Sequence, residues 1–67
     1  MADHVFISHS SGDRAVATRI AAVLEARGIR VWMAPRDIVP GTEYAASIID
    51  AIEQSRAVLF IVSDHLN

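Results

Sequence analysis

Four small polar residues, Ser8, His9, Ser10 and Ser11, follow directly on a short apolar run and bring three hydroxyls and one imidazole together. In an open parallel sheet, ligands bind outside the C-terminal ends of the strands. A helix starting just beyond offers free N–H groups and a positive dipole, which suit a phosphate. The simpler role for these residues is helix capping by Ser10 or Ser11, with Asp13 as a capping-box partner. His9 reads as a polar wall, not a base, since no partner carboxylate is identifiable beside it. A second group is Arg36, Asp37, Ile38, Val39, Pro40 and Gly41. A protruding Arg/Asp pair next to exposed Ile38 and Val39, on a path fixed by two prolines and a glycine, suits a protein interface. The alternative is a solvated loop with a weak local salt bridge. The connection over 34–41 is longer than most in α/β units, which favours a functional loop.

Other chemistry-bearing residues read more simply. Asp50 and Glu53 fall on a polar helix side and are solvated, while Glu43 complements a helix dipole. Trp32 packs in the core. His4, His9 and His65 have no metal-site spacing, and there is no cysteine. No glycine-rich phosphate loop or nucleophile elbow is present.

The elements that must position these groups follow from periodicity. Strands are predicted over 4–9, 29–33 and 57–63, and helices over 11–27 and 43–54. Val16, Ile20, Val23 and Leu24 repeat at helical spacing, and Gly28 stops that helix. Pro35 pushes Ala34 to extended geometry and ends the second strand. Pro40-Gly41 is a turn, and Thr42 caps the second helix, whose apolar side is Ala45, Ile48, Ile49 and Ile52. The run from Ala57 to Val62 is apolar throughout and reads as buried on both faces. Alternating strands and helices imply an α/β fold, β-α-β-α-β, with a parallel sheet in the order 2-1-3 and one helix on each face. Three strands and two helices make about half of an ordinary doubly wound domain, so this chain reads as an incomplete one.

Composition limits the function classes. The chain has 67 residues, six arginines, no lysine and a formal net charge of −2, which excludes a general nucleic-acid binder. Its longest apolar run is far too short to span a membrane. The start carries no export signal, so the expected location is the cytoplasm. The hydrophobic fraction of 52% is rich for so small a chain, and implies apolar surface meant for something outside it.

The blocks Val5-Phe6-Ile7-Ser8-His9-Ser10-Ser11-Gly12-Asp13, Gly28-Ile29-Arg30-Val31-Trp32, Ala34-Pro35-Arg36-Asp37-Ile38 with Pro40-Gly41, and Val58-Leu59-Phe60-Ile61-Val62-Ser63 together resemble the TIR (Toll/interleukin-1 receptor homology) domains. Ile48-Ile49-Asp50-Ala51-Ile52 fits the same pattern, and the Ala34 to Ile38 run is similar to the bacterial branch. The resemblance implies a flavodoxin-like sheet, of which residues 1–67 would be the N-terminal half. It implies either NAD⁺ hydrolysis or cyclisation with release of nicotinamide, in bacterial defence signalling, or a non-catalytic module for TIR–TIR assembly. NAD⁺ would be a substrate, and no cofactor is implied. Ser8, His9, Ser10, Ser11 and Gly41 would border the NAD⁺ pocket. Arg36, Asp37, Ile38, Val39 and Pro40 would contact other TIR domains. The family's catalytic glutamate follows the third strand and matches no residue here; the isolated chain is therefore expected to be inactive. An unrelated flavodoxin-like domain is a third class, but a receiver is disfavoured because the first strand lacks an acidic cluster.

Overall fold

The computed structural model describes residues 3–62. Its elements are β1 (His4–Ser8), a 3₁₀ turn (Ser11–Asp13), α1 (Arg14–Ala26), β2 (Arg30–Trp32), α2 (Tyr44–Glu53) and β3 (Ser55–Phe60). The strands form one parallel sheet in the order β2-β1-β3, as expected for a flavodoxin-like α/β arrangement. The central position goes to the strand that is apolar along most of its length. Val5, Phe6 and Ile7 can bury side chains on both faces only if the sheet continues on both sides.

Alternation along β1 separates the two faces. Val5 and Ile7 join Ala17, Ala21, Val31 and Met33 in the core beneath α1. Phe6 faces the other way and stacks on Trp32, ring centroids 5.3 Å apart and 11° from parallel. Ala51 of α2 is buried, and its carbonyl oxygen accepts a 2.8 Å hydrogen bond from His4 Nε2. The small residues Ala17 and Ala21 let α1 approach the sheet closely, which leaves Val16 and Val23 on its exposed flank. Of the predicted stripe, Ile20 and Leu24 pack against the core, whereas Val16 and Val23 do not. Ile49 and Ile52 of α2 are likewise exposed.

Helix α1 ends as its sequence predicts. Gly28 takes φ +80, its N–H donates to the Glu25 carbonyl, and the Ile29 N–H donates to the Leu24 carbonyl. These are the paired bonds of a Schellman cap, which needs a left-handed residue at this position.

Three other expectations are corrected. The first turn of the first helix is 3₁₀, so α1 starts at Arg14 instead of 11. The N-cap of α2 is Glu43 instead of Thr42, and neither Glu43 nor Ser10 makes a side-chain cap bond. Strand β3 runs from Ser55, two residues earlier than expected, with a register shift opposite His4/Val5, and it is largely exposed rather than buried on both faces. Among the described residues it is an edge strand, with β1 on one side only. The predicted end of that strand at 63, like His65, lies outside the described residues. No helix among the described residues is long and apolar enough to cross a membrane.

Candidate functional site

The C-terminal ends of β1 and β2 lie side by side, and the segments that leave them meet through His9. Its Nδ1 is 2.7 Å from the Ser10 carbonyl oxygen, and its Nε2 is 3.2 Å from the Ala34 carbonyl oxygen. A neutral imidazole has one N–H and donates to one of these at a time. His9 thus ties the end of β1 to the start of the loop after β2, and among the described residues it has no carboxylate partner. Ser8 is half-buried and its carbonyl accepts the Ile61 N–H at 2.9 Å.

Ser8 and His9 line a cleft of about 260 Å³ with Phe6, Ile7, Ala34, Tyr44, Ile48 and Ile52. The cleft offers two hydroxyls and one imidazole against an apolar wall, and among the described residues no carboxylate lines it. Ser10, Ser11 and Gly41 do not line it. Ser10 instead donates from Oγ to Asp13 Oδ2 at 3.1 Å, while its carbonyl accepts the Asp13 N–H at 3.0 Å. Asp13 is only 2% exposed and is the N-cap residue of α1. A carboxyl group here sits at the positive pole of the helix, where a phosphate would otherwise go. Sequence reading had Asp13 as a capping partner and missed its burial. Its spacing from Ser10 was the available signal.

The loop after β2 is folded on itself. Asp37 closes a ring with Met33: the Met33 N–H donates to Asp37 Oδ2 at 3.0 Å, and the Asp37 N–H donates to the Met33 carbonyl at 3.0 Å. Arg36 donates from Nε and Nη2 to the same Asp37 oxygen, at 3.0 and 2.7 Å. Its Nη2 also reaches the Val31 carbonyl at 3.0 Å. Its Nη1 and Nη2 meet Glu25 Oε1 and Oε2 at 3.3 and 3.1 Å, a fork-to-fork pair. The hydrogen bond to Asp37 raises the Arg36 guanidinium above its ordinary value, against a smaller effect of desolvation. A base whose value is raised on folding contributes its stability below its ordinary value and loses it only as pH rises past the raised one, so the Arg36 guanidinium itself adds no pH dependence near neutrality.

The Arg36/Asp37 pair is therefore bonded back onto the domain, with Asp37 half-buried and Arg36 still exposed. For Asp37, this corrects the expectation of a protruding pair. The second half of the loop is a turn in which the Thr42 N–H donates to the Val39 carbonyl at 3.2 Å, with Gly41 at φ +90. Proline second and a positive-φ glycine third are what a type II turn requires. Thr42 Oγ1 adds a 2.6 Å bond to the Val39 carbonyl and a 2.9 Å contact with Ser47 Oγ. Val39, 63% exposed, and Pro40 form the exposed apolar tip of the turn, while Arg36 is also exposed and Ile38 is half-buried. Among the described residues no group of three or more His, Cys, Asp or Glu could hold a metal ion.

A parallel βαβαβ unit with a braced Arg-Asp-Ile-Val-Pro-Gly loop after its second strand defines a class, and comparison with known proteins gives the same one. The family model described as "TIR domain" matches residues 5–67, and the chain belongs to that family. It is similar to Toll-like receptor 6 of Mus musculus, 38% identical over 63 residues and 92% of this chain. Toll-like receptor 6 of Homo sapiens is 36% identical over 61 residues and 90% of this chain. The chain spans 8% of the length of each of these receptors.

Proposed function

We propose that this chain is a TIR association module in signalling, with the loop over residues 34–42 as its contact surface for another TIR domain. One observation carries this reading. The loop's charged side chains are bonded inward, and its backbone is held by two turns, so Val39 and Pro40 form a preset apolar tip. A preset surface loses little entropy on binding, and an apolar tip gains from burial.

A second reading is NAD⁺ hydrolysis or cyclisation in a bacterial defence protein. It is supported by the cleft at the strand ends, with Ser8 and His9 in its wall, and by the likeness of residues 34–38 to the bacterial branch. Cleaving the nicotinamide–ribose bond passes through a cation-like ribose that a carboxylate must stabilise. Among the described residues no lining residue of this cleft supplies one, so association is the preferred function.

The test is binding of this chain to a second, immobilised TIR domain. The measurement is best made with Phe60→Lys as the parent, so that the exposed sheet edge carries a charge and contributes little. Val39→Asp puts a charge on the tip and is expected to weaken binding tenfold or more, by about 1.5 kcal/mol of lost apolar burial and added desolvation. Unchanged binding would overturn the loop as the contact surface.

A further inference from the structure

We infer that Glu25, which lies on α1 and outside the loop, is a positioning residue for the loop's contact surface, acting through Arg36, and that the surface offered to a partner is therefore an uncharged apolar tip. This rests on the reading of the loop as a TIR contact surface.

The first observation is a local electrostatic mismatch. Glu25 falls in the last turn of α1, which carries no basic residue. A carboxylate there opposes the helix dipole. A residue that breaks a local rule points to a use elsewhere. Here that use is the fork-to-fork pair with Arg36.

The second observation is what Arg36 joins. One guanidinium bonds Glu25 of α1, the Val31 carbonyl of β2 and the Asp37 carboxylate of the loop. Asp37 in turn holds the Met33 N–H at the end of the strand segment. A planar fork with several fixed donors can do this; a lysine ammonium cannot reproduce it. With Arg36 and Asp37 bonded to each other and to the body of the domain, the exposed side chains of the turn beyond them are Val39 and Pro40. The matching partner surface is an apolar patch. An acidic patch would have to compete for Arg36, which is exposed but already bonded to Glu25 and Asp37.

The experiment compares binding to an immobilised TIR domain for the Phe60→Lys parent and for that parent with Glu25→Ala, Arg36→Ala or Val39→Asp. Amide hydrogen exchange of Asp37 and Ile38, whose N–H groups bond the Met33 and Pro35 carbonyls, is followed alongside. Glu25→Ala is expected to weaken binding about two- to fivefold, the range of a partly exposed ion pair. It should also speed exchange at Asp37 and Ile38 and leave the thermal midpoint nearly unchanged. A merely structural role would not separate binding from stability in this way. Arg36→Ala should weaken binding roughly tenfold, since it removes the charge-assisted bonds together. Raising salt from about 0.05 M to about 0.5 M should weaken the parent more than Glu25→Ala, because the brace is screened and the apolar contact is not. Parent-like binding and exchange in Glu25→Ala would overturn the inference while Val39→Asp still abolishes binding. Tighter binding in Glu25→Ala with loss in Arg36→Ala would also overturn it, by making Arg36 a contact for an acidic partner. If Val39→Asp binds like the parent, the loop reading itself fails and the inference with it.

Discussion

Ile7→Ala is expected to leave the chain largely unfolded at room temperature. Ile7 is 1% exposed and is the largest fully buried side chain among the described residues. It sits at the centre of the middle strand and packs beneath α1 with Ala17, Ala21, Val31 and Met33. Removing most of a buried isoleucine costs about 2–5 kcal/mol in lost transfer energy and cavity formation. A chain of this length has roughly 3–10 kcal/mol in total, and one with so few buried residues lies toward the low end. The alanines on α1 cannot move inward far enough to fill the space, since both already lie against the sheet. Val23→Ala is the control: Val23 is 57% exposed, and its truncation should change stability by less than about 1 kcal/mol. Circular dichroism during urea titration distinguishes the two. A cooperative Ile7→Ala transition near that of the parent would mean that the core is not where these contacts place it.

The second large effect concerns β3. Its outer edge has no strand beside it among the described residues, and Val58, Leu59, Phe60 and Val62 are exposed. Val58 and Phe60 stand opposite Phe6 and Ser8 on the α2 side; Leu59 stands opposite Ile7 on the α1 side. Unpaired N–H and C=O groups flanked by apolar side chains on both faces are a template for another strand. The chain should therefore self-associate, with apparent mass in sedimentation equilibrium rising with concentration. Phe60 is 71% exposed, so Phe60→Lys removes little packing within the chain. It should shift association to concentrations roughly tenfold higher, from about 1.5 kcal/mol of apolar burial lost per contact. A parent that stays monomeric over the whole range would show that the edge is covered in another way.

The strand order was legible because a run such as Val5-Phe6-Ile7 has to be central, and helical crossovers then allow few arrangements. The end of α1 was legible because Gly28 supplies a positive φ at the position a Schellman cap demands. Pro40-Gly41 announced its turn for the same reason. The exposure of β3 was not legible. An apolar run encodes a preference for burial, whereas burial itself depends on which neighbours are present. The core face of α1 was legible at Ile20 and Leu24 but displaced at Val16 and Val23, because hydrophobic periodicity favours valine over alanine and close helix–sheet approach favours alanine. At the site, Ser8 and His9 were correctly placed at the strand end, but the direction of Arg36 and Asp37 could not be read. Their partners include the Val31 carbonyl and the Met33 N–H, backbone groups that come within reach only once the loop has folded. Asp13 was hidden for a similar reason: the sequence shows its distance from Ser10 and does not show that the 3₁₀ turn buries it.

Association in preference to catalysis is tested most directly by incubating the purified 67-residue chain with NAD⁺ and measuring nicotinamide release over time, with TIR-domain binding measured on the same preparation. The expected result is Val39-dependent binding with no nicotinamide above the buffer control, because among the described residues the cleft that holds Ser8 and His9 has no carboxylate to stabilise the developing ribose cation. Steady nicotinamide release that Ser8→Ala or His9→Ala abolishes, together with binding indifferent to Val39→Asp, would contradict it.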